Sequence, residues 1–131
     1  MQPSHTTRSE ARWHYQSAIR MHYRVFYLFA RTGEAVSSAS AVEMTAKAIC
    51  EQLLPRLQTE DDFIGLIDAA ENMLQVLCEP APDRYWVELP VDAARASYGR
   101  YVSFAELSSL IGTLPQVFDR EVVPGLEYGP L

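Results

Sequence analysis

The sequence predicts an all-α fold: a small bundle of three main helices, then a shorter helical C-terminal part with one extended segment. Three observations predict it. Residues 9–32 carry apolar side chains over more than half of a helical projection. Residues 40–57 and 59–78 each carry an apolar stripe at helical spacing. Residues suited to capping precede these runs, and glycine or proline follows them.

The first helix is expected from Ser9 to Thr32, with Gly33 in the stop position. In projection, Ala11, Tyr15, Ala18, Ile19, His22, Tyr23, Val25, Phe26, Phe29 and Ala30 form one side. His14, Met21 and Leu28 widen it. The other side holds Gln16, Ser17, Arg20, Arg24 and Arg31 with Trp13 and Tyr27. An apolar arc this wide means contact with more than one neighbour, which places the helix at the centre of the bundle. It is no membrane anchor. A span needs about twenty predominantly apolar residues, whereas the longest apolar run here is "VFYLFA", and Arg20, His22 and Arg24 would sit mid-span.

The second helix is expected to open on a capping box of Ser40 and Glu43. Its stripe is Val42, Ala46, Ile49, Cys50, Leu53 and Leu57, and Pro55 kinks it or ends it near Leu54. In the third, Thr59 is the expected cap, and Glu60, Asp61 and Asp62 suit the positive end of the helix dipole. Phe63, Leu66, Ile67, Ala70, Met73, Leu74 and Leu77 form its apolar face, and "EPAPD" stops it.

Beyond it, "YWVELPV" alternates Tyr85, Val87, Leu89 and Val91 at strand period, and Pro90 restricts it to an edge or an extended segment. Asp92 caps a short helix, Ala93 to Tyr98, before Gly99. A second capping box, Ser103 with Glu106, opens a helix to about Ile111, broken by Gly112 and Thr113. A further short helix is expected from Pro115 to Val122, then an extended tail over residues 124–131. The reading is one helical domain over residues 1–131, with residues 1–8 as an N-terminal arm.

The net charge of −6 is unevenly spread. Residues 1–35 carry five arginines against two glutamates, and residues 36–131 carry six basic against fifteen acidic residues. Such asymmetry suits either an anionic partner for one end or pairing of that end with the acidic remainder of the domain. Cys50 and Cys78 are too few for a disulfide framework and lack metal-ligand spacing, so they are expected as buried, reduced thiols in a cytoplasmic protein. The opening residues lack the apolar stretch of a signal peptide.

The motif search yields no catalytic, cofactor or metal signature. There is no glycine-rich phosphate loop, HExxH, CxxC or GxSxG. Glu10 and His14 stand four apart without an identifiable third ligand, and His22 reads as a core histidine. No catalytic residue, cofactor or metal is therefore expected, and a non-enzyme is.

Two surfaces remain. One is Arg84, Tyr85, Trp86, Arg95, Tyr98, Arg100 and Tyr101, the Arg, Tyr and Trp mixture that dominates binding hot spots. The other is Trp13, Arg20, Arg24, Tyr27 and Arg31 on the first helix. The expected function is a small soluble protein-binding module: an adaptor, regulator, inhibitor or assembly subunit, with self-association open. The alternative is a nucleic-acid-associated helical protein using the arginine face, charge for phosphate and rings for bases. Overall acidity weighs against it. A third reading is an enzyme with an unrecognised site.

Overall fold

The computed structural model describes residues 21–79, 81–91, 96–119 and 127–130. It overturns the all-α expectation. The described residues form an eight-stranded antiparallel sheet with short helical segments packed against it.

The strands are β1 (His22–Phe29), β2 (Glu34–Val36), β3 (Val42–Thr45), β4 (Phe63–Ile67), β5 (Met73–Cys78), β6 (Tyr85–Val91), β7 (Ala96–Val102) and β8 (Glu127–Pro130). Their order is β2-β1-β4-β5-β6-β7-β8. β3 pairs with the first half of β1, on the side where β2 pairs with its second half. One helical stretch, α1, covers residues 46–56 as three successive turns: Ala46–Ala48, a wide π turn Ile49–Leu53 and a tight turn Leu54–Arg56. The other helix, α2, is Phe104–Gly112.

Each departure from the expected helices has a local cause. β1 replaces most of the second half of the first helix. "HYRVFYLF" is rich in aromatic and β-branched residues, which fit a pleated surface better than a helix. Its wide apolar arc arises because a strand with apolar residues on both faces reads as a nearly continuous run. Gly33 closes the β1–β2 turn, its N–H donating to the Phe29 carbonyl at 2.9 Å. The third helix is instead the β4–β5 hairpin. Asp68 organises its turn by accepting from the N–H groups of Ala70 and Asn72, both at 2.8 Å.

The second helix survives in shortened form. Val42 and Glu43 belong to β3, so the Ser40–Glu43 capping box does not form. Thr45 is the cap, its hydroxyl accepting from the Ala48 N–H. Ala46, Ile49, Leu53 and Leu57 are buried as expected, Cys50 is half-buried, and Val42 is exposed. The stretch ends at Arg56, one residue past Pro55.

"YWVELPV" is a strand, but an internal one. Pro90 is tolerated because β5 pairs with β6 only as far as Glu88, so the proline lies on an overhang facing β7 alone. The expected helix Ala93–Tyr98 is overturned at Ala96–Tyr98, which begin β7; residues 92–95 lie outside the described residues. The Ser103–Glu106 capping box forms with both its hydrogen bonds and opens α2. Residues 115–119 are not helical, and residues 120–122 lie outside the described residues.

The core lies on one face of the sheet. Val25, Ile64, Leu66, Leu74, Val76, Val87 and Val102 project to the side covered by α1 and α2, where Ile49, Leu54, Leu107 and Ile111 meet them. Leu114 and Phe118 extend this layer, and polar groups fasten it. The Tyr23 hydroxyl donates to the carbonyls of Leu114 and Pro115 at 2.8 and 2.9 Å. The Phe118 N–H donates to the buried Asp68 carboxylate.

Candidate functional site

The second face of the sheet carries the feature that stands out from the scaffold. Directly opposed residues of antiparallel strands share a face. Leu28 opposes Phe63, Phe63 opposes Leu77, Leu77 opposes Trp86, and Trp86 opposes Tyr101. A ladder of five large apolar or aromatic side chains therefore crosses five strands, on the side away from α1 and α2. One step along runs a second row: Phe26, Gly65, Gln75, Glu88 and Gly99.

The two glycines shape this face. A Cβ at Gly65 would collide with the Phe26 ring, and one at Gly99 with the Trp86 indole. Each ring thus lies against the backbone of the neighbouring strand where only glycine leaves room. Phe26 is pinned by an edge-on contact with Phe63, ring centroids 6.2 Å apart.

At the far corner, Trp86 and Tyr101 meet edge to face, with centroids 4.7 Å apart and planes at 63°. The Trp86 Nε1–H donates to the Glu88 carboxylate at 2.9 Å. The Arg84 guanidinium lies over the Tyr101 ring, its Cζ 3.8 Å from the centroid. Tyr101 remains 44% exposed. The corner thus offers a guanidinium, a phenol, an indole and a carboxylate on a rigid base.

The fold divides the first predicted surface. Arg84, Trp86 and Tyr101 come together on the open face. Tyr85, Tyr98 and Arg100 oppose Cys78, Leu89 and Val87, and so project to the helix-covered side. There Tyr85 packs edge-on against Phe104 at 6.0 Å, and burial raises its pKa above the ordinary phenol range. Arg100 pairs with Glu106 at 3.1 Å. Arg95 lies outside the described residues.

The second predicted surface does not assemble on one helix face. Trp13 and Arg20 lie outside the described residues. Arg24 sits on β1 and pairs with Glu71. Tyr27 faces the helix side, stacked on Phe29 at 4.9 Å, and Arg31 lies in the β1–β2 turn bonded to Gln58.

The buried carboxylates are structural. Asp62 accepts from the N–H groups of Ala30, Gln58 and Thr59, each at 2.8 Å, and from the Thr59 hydroxyl at 3.1 Å. Burial acts to raise its pKa, but these four donors outweigh it and hold the carboxyl below its ordinary value. A cavity of about 280 Å³ beside it is lined by Arg31, Arg56 and Gln58 among others. Their polar groups are engaged within the chain: Arg31 with Gln58, and Arg56 with Glu34 and Thr32. Among the described residues no three His, Cys, Asp or Glu side chains cluster as metal ligands, and no helix is long and apolar enough to cross a membrane.

Sequence reasoning found Arg84, Trp86 and Tyr101 but missed Leu28, Phe63, Leu77, Glu88 and the two glycines. The density of aromatic and β-branched residues in "HYRVFYLF" is the available signal for the β1 members. The ladder itself follows only from register.

Comparison with known proteins yields no match: no family, no curated protein and no solved structure is significantly similar to this chain.

Proposed function

We propose that the chain is a protein-binding module whose contact surface is the open-face corner of Arg84, Trp86, Glu88 and Tyr101. The observation that supports the reading is the cross-strand Trp86–Tyr101 pair, with Arg84 stacked on the exposed tyrosine at the end of an apolar ladder. Tyr, Trp and Arg carry most of the energy in protein interfaces. Each buries much area at small entropic cost and keeps a polar group for orientation. The sheet holds them in place beforehand, which reduces the cost of ordering on association. The arginines assigned to nucleic acid give weaker support to that alternative, since Arg24 and Arg31 already bond Glu71 and Gln58 and lie apart in the fold.

The test is capture from the native host with the tagged full-length chain and with its Arg84→Ala/Tyr101→Ser variant, with melting temperatures measured on both. A partner anchored here should lose roughly thirtyfold or more in affinity, about 2 kcal/mol. The variant should stay folded, losing the Arg84–Tyr101 stacking and the edge contact of Tyr101 with Trp86, together about 1–2.5 kcal/mol. An identical set of captured proteins, at equal recovery, refutes the reading.

A further inference from the structure

Four polar residues frame the middle of the open face. Arg84, just before β6, and Glu88 within it stand two residues to either side of Trp86. On β5, Gln75 and Glu79 flank Leu77 in the same way. The Glu79 N–H donates to the Arg84 carbonyl at 3.1 Å, which carries the β5–β6 register one pair past the strands. Glu79 therefore lies opposite Arg84, and Gln75 opposite Glu88. The four form a rectangle around Leu77 and Trp86, with the two carboxylates on one diagonal and the two donors, a guanidinium and an amide, on the other. The ladder that crosses it is accessible along its length. Leu28, Phe63, Leu77 and Trp86 are half-buried, and Tyr101 is 44% exposed.

We infer that this face takes a second copy of the chain, sheet against sheet, about a two-fold axis. The inference rests on the protein-binding reading of the Arg84–Tyr101 corner and names its partner. Charge carries it. A two-fold interface presents one patch to itself, so the patch must be self-complementary. The diagonal arrangement meets that condition. With the axis along the ladder, Arg84 of each copy meets Glu88 of the other, and Gln75 meets Glu79. With the axis along the strands, between β5 and β6, Arg84 meets Glu79 and Gln75 meets Glu88. Either way each carboxylate of the rectangle faces a donor, and Leu77 and Trp86 meet the same pair of the second copy.

The dimensions agree. Stacked sheets lie about 10 Å apart, a gap that an arginine and a glutamate reaching toward each other can span. Gly65 and Gly99 keep the face low, since Phe26 and Trp86 lie against the sheet where they stand. The ladder is about 19 Å long, and Arg84 and Glu88 are about 13 Å apart along their strand. A footprint of this size is small for a dimer, so the association is expected in the micromolar range and weaker at high salt.

Sedimentation equilibrium of the full-length natural chain over about 5–500 μM, which brackets the expected constant, should show monomer and dimer in exchange. Arg84→Glu should weaken the dimer about tenfold or more, because it sets carboxylate against carboxylate under either axis. Glu88→Arg and Glu79→Arg make the reciprocal change. An equimolar mixture of Arg84→Glu with one of these should restore association to within about threefold of the natural chain. Rescue by Glu88→Arg assigns the axis along the ladder, and rescue by Glu79→Arg assigns it along the strands. A natural chain that stays monomeric overturns the inference, as does failure of both mixtures to rescue. Where a variant fails to fold by circular dichroism, isotope-filtered Overhauser contacts in a mixture of labelled and unlabelled natural chain decide. Contacts from the Leu77 methyls of one copy to Leu77 or Trp86 of the other support the inference, and contacts confined to other surfaces overturn it. A monomeric chain that still loses a captured host protein on Arg84→Ala/Tyr101→Ser overturns the second copy alone. A monomeric chain with unchanged capture overturns the protein-binding reading as well.

Discussion

Replacing Gly99 with alanine tests the geometry of the open face at the cost of one methyl group. The added Cβ would occupy space held by the Trp86 indole, whose far edge it meets. The ring is half-buried and at the corner, so the cheapest response is to swing it off the sheet. A tryptophan buries roughly 150–250 Å². Lifting a half-buried one exposes about 100 Å² more, worth about 2.5 kcal/mol. Loss of the edge contact with Tyr101 adds about 0.5–1.5 kcal/mol. Alanine stiffens the unfolded chain relative to glycine and returns about 0.5–1 kcal/mol. The expected net loss is therefore about 2–3.5 kcal/mol, a fall in melting temperature on the order of 10 °C. The assay is urea unfolding in a Trp13→Phe background, where Trp86 is the sole tryptophan. Its emission should shift to longer wavelength in the folded state as the ring enters water. Gly65→Ala should cost more, because Phe26 is buried and pinned by Phe63 and has no outward path. A Gly99→Ala protein as stable as the parent, with unmoved emission, would refute the placement of Trp86 over Gly99.

Two further outcomes are expected. Asp62 has a lower pKa folded than unfolded, so its contribution is complete above the ordinary aspartate value, about 3.9, and is lost as pH falls through the depressed one. Asp62→Asn should cost about 1–3 kcal/mol at neutral pH and flatten the acid limb of stability, measured as urea midpoints down to about pH 2; an unchanged limb would remove Asp62 as its source. The thiols of Cys50 and Cys78 have raised pKa values, chiefly through burial. Both should therefore alkylate roughly tenfold or more slowly in the folded chain than in urea, by mass spectrometry of labelled peptides, and equal rates would contradict their packing.

The sequence by itself determined the features that depend on neighbouring residues. The Ser103–Glu106 box, the alternation of Tyr85–Val91 and the turn at Pro55 are local patterns, and each is present in the fold. So is the choice of most core residues, because apolar side chains at Val25, Leu66, Leu74 and Ile49 are buried whichever element carries them. What tertiary structure decided is the state of the segments whose apolar pattern suits helix and strand alike. Leu66, Ile67, Met73, Leu74 and Leu77 fit a helical stripe, yet they form a hairpin, and Val25 of β1 finds its partner Leu66 some forty residues away. The backbone bonds of β4 are made to β1 and β5, so their energy appears in no local window of sequence. The candidate site depends on the same long-range pairing. Arg84, Trp86 and Tyr101 were visible as residue types, but strand pleat and register separated them from Tyr85, Tyr98 and Arg100. They also set Trp86 beside Tyr101, in line with Leu28, Phe63 and Leu77.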